Sequence, residues 1–344
     1  MASTTGAALV ANPINLSGAL YNKTRVDTPL FSAIPNRRHD ARLFITGATY
    51  DTGYPSSAVA GISENASMTA PTPLKWSREN AYNVTQIFQR AVKVSYRKMS
   101  NAGDLTNYGA QAANLPVGAL AGEMNNVPNE LAFQLTNQLD AMRLDIEYVL
   151  LNGTFNDSKG NADQADQTRG IIEAVTSNVM ALSGTPELKY EHLYDLAEKV
   201  MLSGSPYGLD QYITVMSFTQ FKQLQKIITD EGIKVSQSSA GVNLYEVMTP
   251  FGMMKVLPHR FCPAGTVVCI CMPVMSSVEQ DVPGKGNFFY ETLAKTGAAE
   301  SGEIFGQWGL DYGPEFLHAK ITGLSTTTTA FTAPKVYVEN QAQG

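Results

Sequence analysis

The chain carries little charge for its length. Charged residues make up 16% of its 344 positions, against roughly 25% in an ordinary soluble domain. The hydrophobic share of 44% is enough to bury one large core or two modest ones. Few charges and plentiful Ala, Thr, Asn and Gln favour a surface that other subunits largely cover. A mildly apolar monomer is the alternative that composition leaves open.

Long hydrophobic runs and cysteines are also scarce. No stretch approaches the roughly 18 apolar residues of a membrane-spanning helix, and no charged segment followed by an apolar run predicts a signal peptide. The odd, low number of three cysteines (Cys262, Cys269 and Cys271) fits synthesis in a reducing cytoplasm. We therefore expect no membrane association.

Sequence motifs of catalysis are missing as well. Gly284-Lys285-Gly286 lacks the earlier glycine and the following Ser/Thr of a phosphate-binding loop. No Gly-x-Ser-x-Gly nucleophile elbow occurs, and the four histidines lie far apart in dissimilar contexts. We expect a protein that is not an enzyme, with no catalytic residue and no cofactor. A soluble hydrolase with an unrecognised site is the alternative from another class.

The best metal-site candidate is His259 with Cys262, Cys269 and Cys271. The spacing of these residues matches no standard zinc site. Two thiols two residues apart on a strand point to one face, which is typical of small buried side chains in a core. We therefore predict buried thiols and no metal.

Two further clusters favour structural interpretations. Asp145 and Glu147 stand two residues apart on a predicted helix and so do not face each other; they predict a solvated face, not an acid–base pair. The aromatic run 288–290 predicts core packing, not a platform for stacking nucleotides.

Charge is divided unevenly along the chain. Residues 1–100 carry eleven Lys/Arg against five Asp/Glu, a net +6, and residues 101–344 carry fourteen against twenty-six, a net −12. Such a split predicts a basic arm that meets an oppositely charged partner. The basic residues are too dilute for a dedicated nucleic-acid arm, so the acidic body of another copy fits as well. Our candidate inter-subunit contacts are Lys23, Arg25, Arg37, Arg38, Arg42, Lys93 and Arg97.

The first third of the chain has no helix-length apolar stripe. Three X-Pro steps bias residues 1–40 toward an extended arm. Residues 41–100 predict a long β-excursion, with Leu43 to Tyr50 going out and Tyr82 to Tyr96 returning in strand-like alternation. A two-stranded arm of this length is marginal alone in water. We therefore expect these residues to take their order from sister molecules instead of from their own domain.

A single long amphipathic helix is predicted from Val127 to Leu151. Asn126 is a suitable N-cap, Pro128 fits the first turn, and Gly153 is expected as the residue that ends the helix. The predicted apolar stripe follows helical spacing and consists of Leu131, Leu135, Leu139, Met142, Ile146 and Val149.

The remainder predicts a compact α+β domain. Helices are expected at Pro186 to Leu202 and from Ser217 to Thr229, the latter with a capping box formed by Ser217 and Gln220. The predicted strands are Tyr212 to Met216, Val242–Met248, Met253–Leu257, Thr266–Met272, Glu303–Leu310, Glu315–Ile321 and a short Val336 to Val338 strand.

Several segments resemble those of tailed-bacteriophage major capsid proteins of the Hong Kong-97 type, and more narrowly the SU-ten-like branch. Their order and spacing carry the resemblance more than any one motif. They are Asn12-Pro13 through Thr28-Pro29-Leu30-Phe31, Gln86 to Lys98, Leu139 to Glu147 with Leu150 to Thr154, Thr168 to Ile172, Glu291 to Gly297, and His318 to Leu324.

The resemblance implies an α+β fold of Hong Kong-97 type. Its parts would be an N-terminal arm (1–40), an extended loop or E-loop (41–100), a peripheral P-domain (101–170) with the spine helix 127–151, an axial A-domain (171–300), returning P-domain strands (301–325) and a C-terminal tail (326–344). The role of residues 101–125 stays open, and so does covalent crosslinking between subunits.

The same resemblance implies self-assembly. Hexamers and pentamers would close an icosahedral shell around double-stranded DNA, contacted without sequence reading. A separate scaffolding protein and a portal would be partners, and the protein would belong to the virion, with assembly in the host cytoplasm. An encapsulin-like nanocompartment, with the same fold but enzyme cargo, is the alternative.

Overall fold

The computed structural model describes residues 18–20, 27–50, 61–70, 78–99, 105–107, 130–231, 235–239, 243–295 and 297–327. Its α-helices are α1 (Pro29–Ala33), α2 (Glu64–Ser67), α3 (Tyr96–Met99), α4 (Glu130–Asn152), α5 (Ile171–Ala174), α6 (Tyr190–Leu202) and α7 (Phe218–Glu231). Short 3₁₀ turns lie at Leu209–Gln211, Met272–Val274 and Glu315–Leu317. No helix in these ranges is both long and apolar enough to cross a membrane.

The strands of the described residues are short, except for two. In chain order they are β1 (Gly18–Leu20), β2 (Asn36–Arg38), β3 (Leu43–Thr49), β4 (Glu79–Val84), β5 (Gln86–Ser95), β6 (Leu105–Asn107), β7 (Val179–Ala181), β8 (Tyr212–Met216), β9 (Val235–Ser239), β10 (Asn243–Thr249), β11 (Gly252–Pro258), β12 (Val267–Cys271), β13 (Ser276–Glu279), β14 (Phe289–Thr292), β15 (Ala299–Asp311) and β16 (Ala319–Thr322).

The chain forms two compact units. Unit 1 comprises Met1–Arg42, Thr85–Thr168 and Ser277–Gly309, and unit 2 comprises Leu43–Val84, Arg169–Ser276 and Leu310–Gly344.

Unit 1 is built on a five-stranded sheet. The path β14-β15-β13-β2 is extended by β5, which pairs antiparallel with β15 over ten residues. One face of β5 carries Phe88, Val92 and Val94, which are buried. Arg90, on the same face, donates to Gln138 and Asp145 of α4. Helix α4 therefore packs on this face of the sheet.

Trp308 is the largest fully buried side chain of unit 1. Its indole N–H donates to the Ser277 hydroxyl. Phe31 and Phe88 approach the indole ring edge-on, with ring centroids 6.2 and 6.4 Å away. Such edge-to-face pairs stabilise the fold beyond what burial of the rings alone contributes. Trp308 thus joins α1, β5 and β13 in one core.

Helix α1 is held by a buried carboxylate. Pro29, at the first turn, has no N–H to satisfy. The next two N–H groups, of Leu30 and Phe31, donate to Oε1 and Oε2 of Glu147 on α4, at 3.0 and 2.8 Å. Glu147 therefore caps α1 by pairing N–H groups that have no partner within the helix. The prediction that Glu147 lies on a solvated face is wrong, because its side chain is fully buried.

The N-terminal segments pack on their own chain to a greater extent than predicted. Leu30 and Ile34 are buried, residues 29–33 are helical instead of extended, and β2 pairs parallel with β13. The expectation that these residues take their order from sister molecules alone is therefore wrong for the described part of the first hundred. Lys23, Arg25 and most of residues 1–26 lie outside the described residues.

The predicted pairing of an outgoing and a returning strand is correct for β3 and β4, but the second part of the return, β5, pairs with a different strand. Strands β3 and β4 pair antiparallel, as expected. The return is two strands instead of one, because β5 leaves β4 and joins β15. Thr85 marks the change: its N–H donates to the Arg42 carbonyl at 2.9 Å and its hydroxyl to Gln280 at 2.9 Å.

The long helix is confirmed, with a different buried face. It spans Glu130–Asn152, and residues 126–129 lie outside the described residues. Met142 and Ile146 are buried as predicted, together with Leu150 and Leu151, but Leu139 is 37% exposed. Gly153 follows the helix without adopting the positive φ of a glycine end-cap. The predicted stripe is therefore correct only in its C-terminal half.

Unit 2 contains a seven-stranded mixed sheet in the order β7-β16-β12-β8-β11-β10-β9. Strand β8 and the buried residues Leu193, Leu196, Ala197 and Val200 of α6 are as predicted. Helix α6 begins at Tyr190, later than expected, and the segment 315–321 is a 3₁₀ turn followed by β16. The predicted strand 336–338 lies outside the described residues.

The capping box of α7 is half present. The Gln220 N–H donates to the Ser217 hydroxyl at 3.3 Å. The Gln220 amide does not reach back to the cap, because it donates to the carbonyls of Ala264 and Ser325 at 2.7 Å. A long-range contact therefore replaces the local one.

His318 lies fully buried in unit 2 between two backbone groups. Its Nδ1 accepts the Cys271 N–H at 3.1 Å, and its Nε2 lies 2.7 Å from the Tyr312 carbonyl. These partners require a neutral ring with the proton on Nε2, which donates to that carbonyl. Burial lowers the pKa of His318 to about 4.

We predict that Glu147→Gln loosens α1 while leaving the rest of unit 1 folded. Glutamine offers one acceptor where the carboxylate offers two, and its NH₂ would face an N–H. The free energy of unfolding should fall by about 2 kcal/mol, the range for hydrogen bonds to a charged group. Hydrogen exchange at the Leu30 and Phe31 amides should accelerate. Asp140→Asn on the same helix is the control; exchange at wild-type rates in Glu147→Gln would contradict the assignment.

We predict that acid destabilises the protein partly through His318. The unfolded chain binds a proton near pH 6.5, whereas the folded chain resists until about pH 4. The contribution of His318 to the free energy of unfolding is therefore fully present above pH 6.5, and it is lost as the pH falls toward 4. NMR titration should show that His318 is protonated near pH 4. In His318→Gln the urea midpoint should be lower at pH 7 but should vary less between pH 6.5 and 4.5. A ring that titrates near 6.5 would refute this.

Candidate assembly surface

The hairpin β3–β4 of unit 2 is anchored by buried polar side chains on one face. Thr46 stands at an irregularity in the pairing, between Ile45 and Gly47. Its hydroxyl donates to Asp311 at 2.9 Å and accepts the Tyr312 N–H at 3.1 Å. A bulge of this kind redirects one side chain without ending the hairpin.

Asn83, on β4, makes the second anchor. Its side-chain NH₂ donates to the carbonyls of Leu310 and Arg169 at 2.8 and 3.1 Å, and its Oδ1 accepts the Arg169 N–H at 2.8 Å. The side chain is fully buried, so losing these partners would leave uncompensated polar groups. The base of the excursion is therefore fixed on the body of unit 2.

The opposite face of the same hairpin is apolar and exposed. Ile45 and Tyr82 stand directly opposite each other in the pairing and are 57% and 48% exposed. Leu43, two residues before Ile45 on the same face, is exposed too. We call Leu43, Ile45 and Tyr82 the hairpin stripe. A contiguous exposed apolar surface on a strand pair is typical of a protein interaction site.

The predicted basic contacts are spread over unit 1, not gathered into one site. Arg38 is exposed and lies 3.1 Å from Asp281. Lys93 and Arg97 are exposed at the end of β5 and in α3, and Arg37 is exposed on β2. The structure thus brings no compact basic patch together from these residues.

Arg42 is paired within its own chain. Its guanidinium lies 2.7 Å from Asp157 and 2.7 Å from Asp166. The hydrogen bond that Arg42 donates to Asp157, together with attraction to both carboxylates, raises the pKa of Arg42. The same hydrogen bond lowers the pKa of Asp157. Arg42 thus holds the loop 154–168 of its own chain.

The three cysteines are buried free thiols, as the sequence predicted. Burial raises the pKa of Cys262 and of Cys269 to about 12 and raises that of Cys271. A thiol with so high a pKa is a poor nucleophile and a poor metal ligand at neutral pH. Within the described ranges, no group of three His, Cys, Asp or Glu side chains is arranged to hold a metal ion.

The sequence analysis predicted neither the inward anchors of the hairpin, Thr46 and Asn83, nor the exposed hairpin stripe on its opposite face. Phe44 and Thr46 are buried while Leu43 and Ile45 beside them are exposed, and this alternation was visible in the sequence. The inward face departs from that of a simple amphipathic strand, because it buries polar Thr46 and Asn83 together with apolar Phe44. No local pattern signals partners more than 80 residues away.

The chain is similar in sequence to one protein family. The model of the SU10 major capsid protein family matches residues 3–325. A comparison with curated protein sequences finds no match.

Solved structures with a similar fold include capsids and an encapsulin. The encapsulin of Synechococcus elongatus aligns with a TM-score of 0.60 at 11% identity, covering 96% of this chain and 99% of the encapsulin. A capsid protein of cyanophage A-1(L) aligns with a TM-score of 0.59 at 12% identity, covering 89% and 95%. The capsid of a native GTA particle aligns with a TM-score of 0.55 at 10% identity, covering 90% and 94%.

At these identities the structural likeness establishes the fold, which is of Hong Kong-97 type as the sequence predicted. The sequence match establishes the family, because it covers nearly the whole chain. The chain belongs to the SU10 major capsid protein family and is a phage major capsid protein, a subunit that forms the shell.

Proposed function

We propose that copies of this chain assemble through the hairpin stripe into the hexamers and pentamers of an icosahedral shell around double-stranded DNA. The observation that carries the proposal is the contrast between the two faces of β3–β4. Buried hydrogen bonds fix Thr46 and Asn83 inward, while Ile45 and Tyr82 remain exposed. An apolar surface is unfavourable when exposed to water, and one that is held rigidly loses little conformational entropy on binding. Such a surface is suited to bind a protein partner.

In this proposal the chain keeps the parts implied by its resemblance. Residues 1–40 act as an arm, 41–100 as an E-loop, 101–170 and 301–325 as a P-domain, 171–300 as an A-domain, and 326–344 as a tail. The exposed β3–β4 hairpin supports an E-loop that contacts a neighbouring copy. The docking of α1 on Glu147 supports an arm that leaves the P-domain at a fixed point.

The exposed basic residues Arg37, Arg38, Lys93 and Arg97 remain proposed inter-subunit contacts. Lys23 and Arg25 remain proposed from sequence alone, and Arg42 remains proposed as well, with two carboxylates of its own chain already paired with it. Exposed charges of this kind steer encounter and register more than they add affinity.

The remaining partners are proposed as the resemblance implies them. A separate scaffolding protein and a portal would assist assembly in the host cytoplasm, and the packaged DNA would be contacted without sequence reading. The protein would act as a virion component and not as an enzyme. An encapsulin-like compartment is the second candidate, since the fold is also that of an encapsulin.

Negative-stain electron microscopy of the purified wild-type chain tests the proposal. We expect closed particles or capsomers, and nuclease-protected DNA in particles from infected cells. Enzyme cargo without DNA would favour the encapsulin candidate. A chain that remains strictly monomeric over the whole range of protein concentration would contradict self-assembly.

We predict that Ile45→Glu with Tyr82→Glu abolishes particle formation without unfolding the subunit. Both side chains are exposed in the single chain, so the free energy of unfolding should change by about 0.5 kcal/mol or less per position. Two charges in each interface should reduce particle yield at least tenfold in sedimentation gradients. Leu293→Glu, an exposed apolar residue of unit 1, is the matched control. A particle yield equal to that of wild type would remove the hairpin stripe from the interface.

We predict that Arg37→Glu with Arg38→Glu slows particle formation while the subunit stays folded. The Arg38–Asp281 pair is exposed, and such pairs contribute about 0–1 kcal/mol to stability. Light scattering should show slower assembly, and raising the salt concentration should narrow the difference from wild type. Arg143→Glu is the control, with an exposed arginine on α4. An unchanged assembly rate at low salt would oppose the steering role of these arginines.

A further inference from the structure

The outward face of α6 in unit 2 is an acidic stripe with an apolar end. The inward face is fixed by Leu193, Leu196, Ala197 and Val200, all buried. The exposed residues recur at spacings of four, three and four, which places them on one side of a helix. They are Glu191, Asp195, Glu198 and Leu202.

The outward face of α7 carries the opposite charge with the same kind of end. Leu224 and Ile228 face the core. Phe218, Lys222 and Lys226 recur at spacings of four and lie on one side; Phe218 and Lys222 are exposed and Lys226 is half-buried. The two apolar ends are unusually open for their size: Leu202 is 70% exposed and Phe218 59%.

In the part of the chain that the structure describes, no ion pair neutralises Glu191, Asp195, Glu198, Lys222 or Lys226. Lys199 lies half-buried beside the acidic stripe, which leaves that stripe with a net negative charge.

The spacing of charges along the two helices matches for the two charged positions nearest each apolar end, and does not extend to Glu191. At about 1.5 Å per residue, Glu198 and Asp195 lie roughly 6 and 10 Å from Leu202 along α6. Lys222 and Lys226 lie roughly 6 and 12 Å from Phe218 along α7. The α6 stripe runs from Leu202 toward its N-terminus and the α7 stripe from Phe218 toward its C-terminus. The match therefore requires antiparallel helices.

We propose that α6 of one copy docks antiparallel on α7 of a second copy of this chain. Leu202 packs on Phe218, Glu198 faces Lys222, and Asp195 faces Lys226. The inference rests on the proposed self-assembly and names a second surface for it, separate from the hairpin stripe. The occupant is a second copy, because the complementary stripe is carried by this same chain at matching spacing.

The division of labour follows from the chemistry of the contact. The apolar pair removes exposed Leu202 and Phe218 from water, which supplies most of the affinity. The two ion pairs set direction and register, because a parallel arrangement would leave the charges without partners. Many such contacts add up across a closed shell even where each is weak.

Charge reversal in three full-length variants tests the pairing. Asp195→Lys with Glu198→Lys makes both stripes basic, and Lys222→Glu with Lys226→Glu makes both acidic. Each should reduce particle or capsomer yield at least tenfold, with thermal unfolding near that of wild type because the sites lie on the surface. The variant with all four changes exchanges the two stripes and should recover yield to within about threefold of wild type.

The control for net charge is Asp163→Lys with Asp210→Lys, which changes two exposed aspartates elsewhere and should assemble normally. Wild-type yield from both reversed variants would overturn the pairing, and so would a folded four-change variant as defective as they are. The variants are compared with wild type under conditions in which the wild-type chain assembles. A wild-type chain that does not assemble would count against the proposed function instead.

Discussion

The structure depends on a hairpin of which the subunit covers only one face. Thr46 and Asn83 bind backbone and carboxylate groups of residues 310–312 and 169, and this fixes β3–β4 on the rest of unit 2. The polar groups of Thr46 and Asn83 are satisfied inward, where Phe44 is buried as well, while Leu43, Ile45 and Tyr82 are exposed. Part of the apolar surface of the strand pair is thereby left to solvent instead of being buried in the subunit. An apolar surface that is held rigidly yet open to water favours contact with another molecule.

Unit 1 uses the same means to hold its N-terminal segment. The Glu147 carboxylate is buried where its cost would be high if it were unpaired, and the first N–H groups of α1 compensate it. Phe31 then reaches Trp308, which also contacts Phe88 of β5. One carboxylate and one indole thus connect the first described helix, the spine helix and the central sheet. The described residues 27–38 are therefore held by their own subunit.

The parts that the sequence predicted correctly are those determined by local patterns. Strand β8 and the buried face of α6 follow from periodicity within a dozen residues. The sequence does not predict the environments of Glu147 and Gln220, because their hydrogen-bond partners lie 117 and 44 residues away along the chain. The return strand was read as one because its alternation continues through Thr85, and only the partner changes there. The hairpin stripe was within reach of the alternation around Ile45, but its meaning depends on the inward anchors, which have no local signature.

The low charge content acquires a physical role in this arrangement. Charges that stabilise a single subunit are largely paired inside it, as Arg42 is with Asp157 and Asp166. The regularly spaced charges on α6 and α7 are few. A few are enough to select one register of α6 of one copy against α7 of another. Burial of exposed apolar side chains supplies affinity without direction. A sparse set of ion pairs supplies direction with little net affinity. A surface densely covered with charge would add alternative registers and repulsion between copies, so the scarcity of charge is itself a condition for ordered assembly.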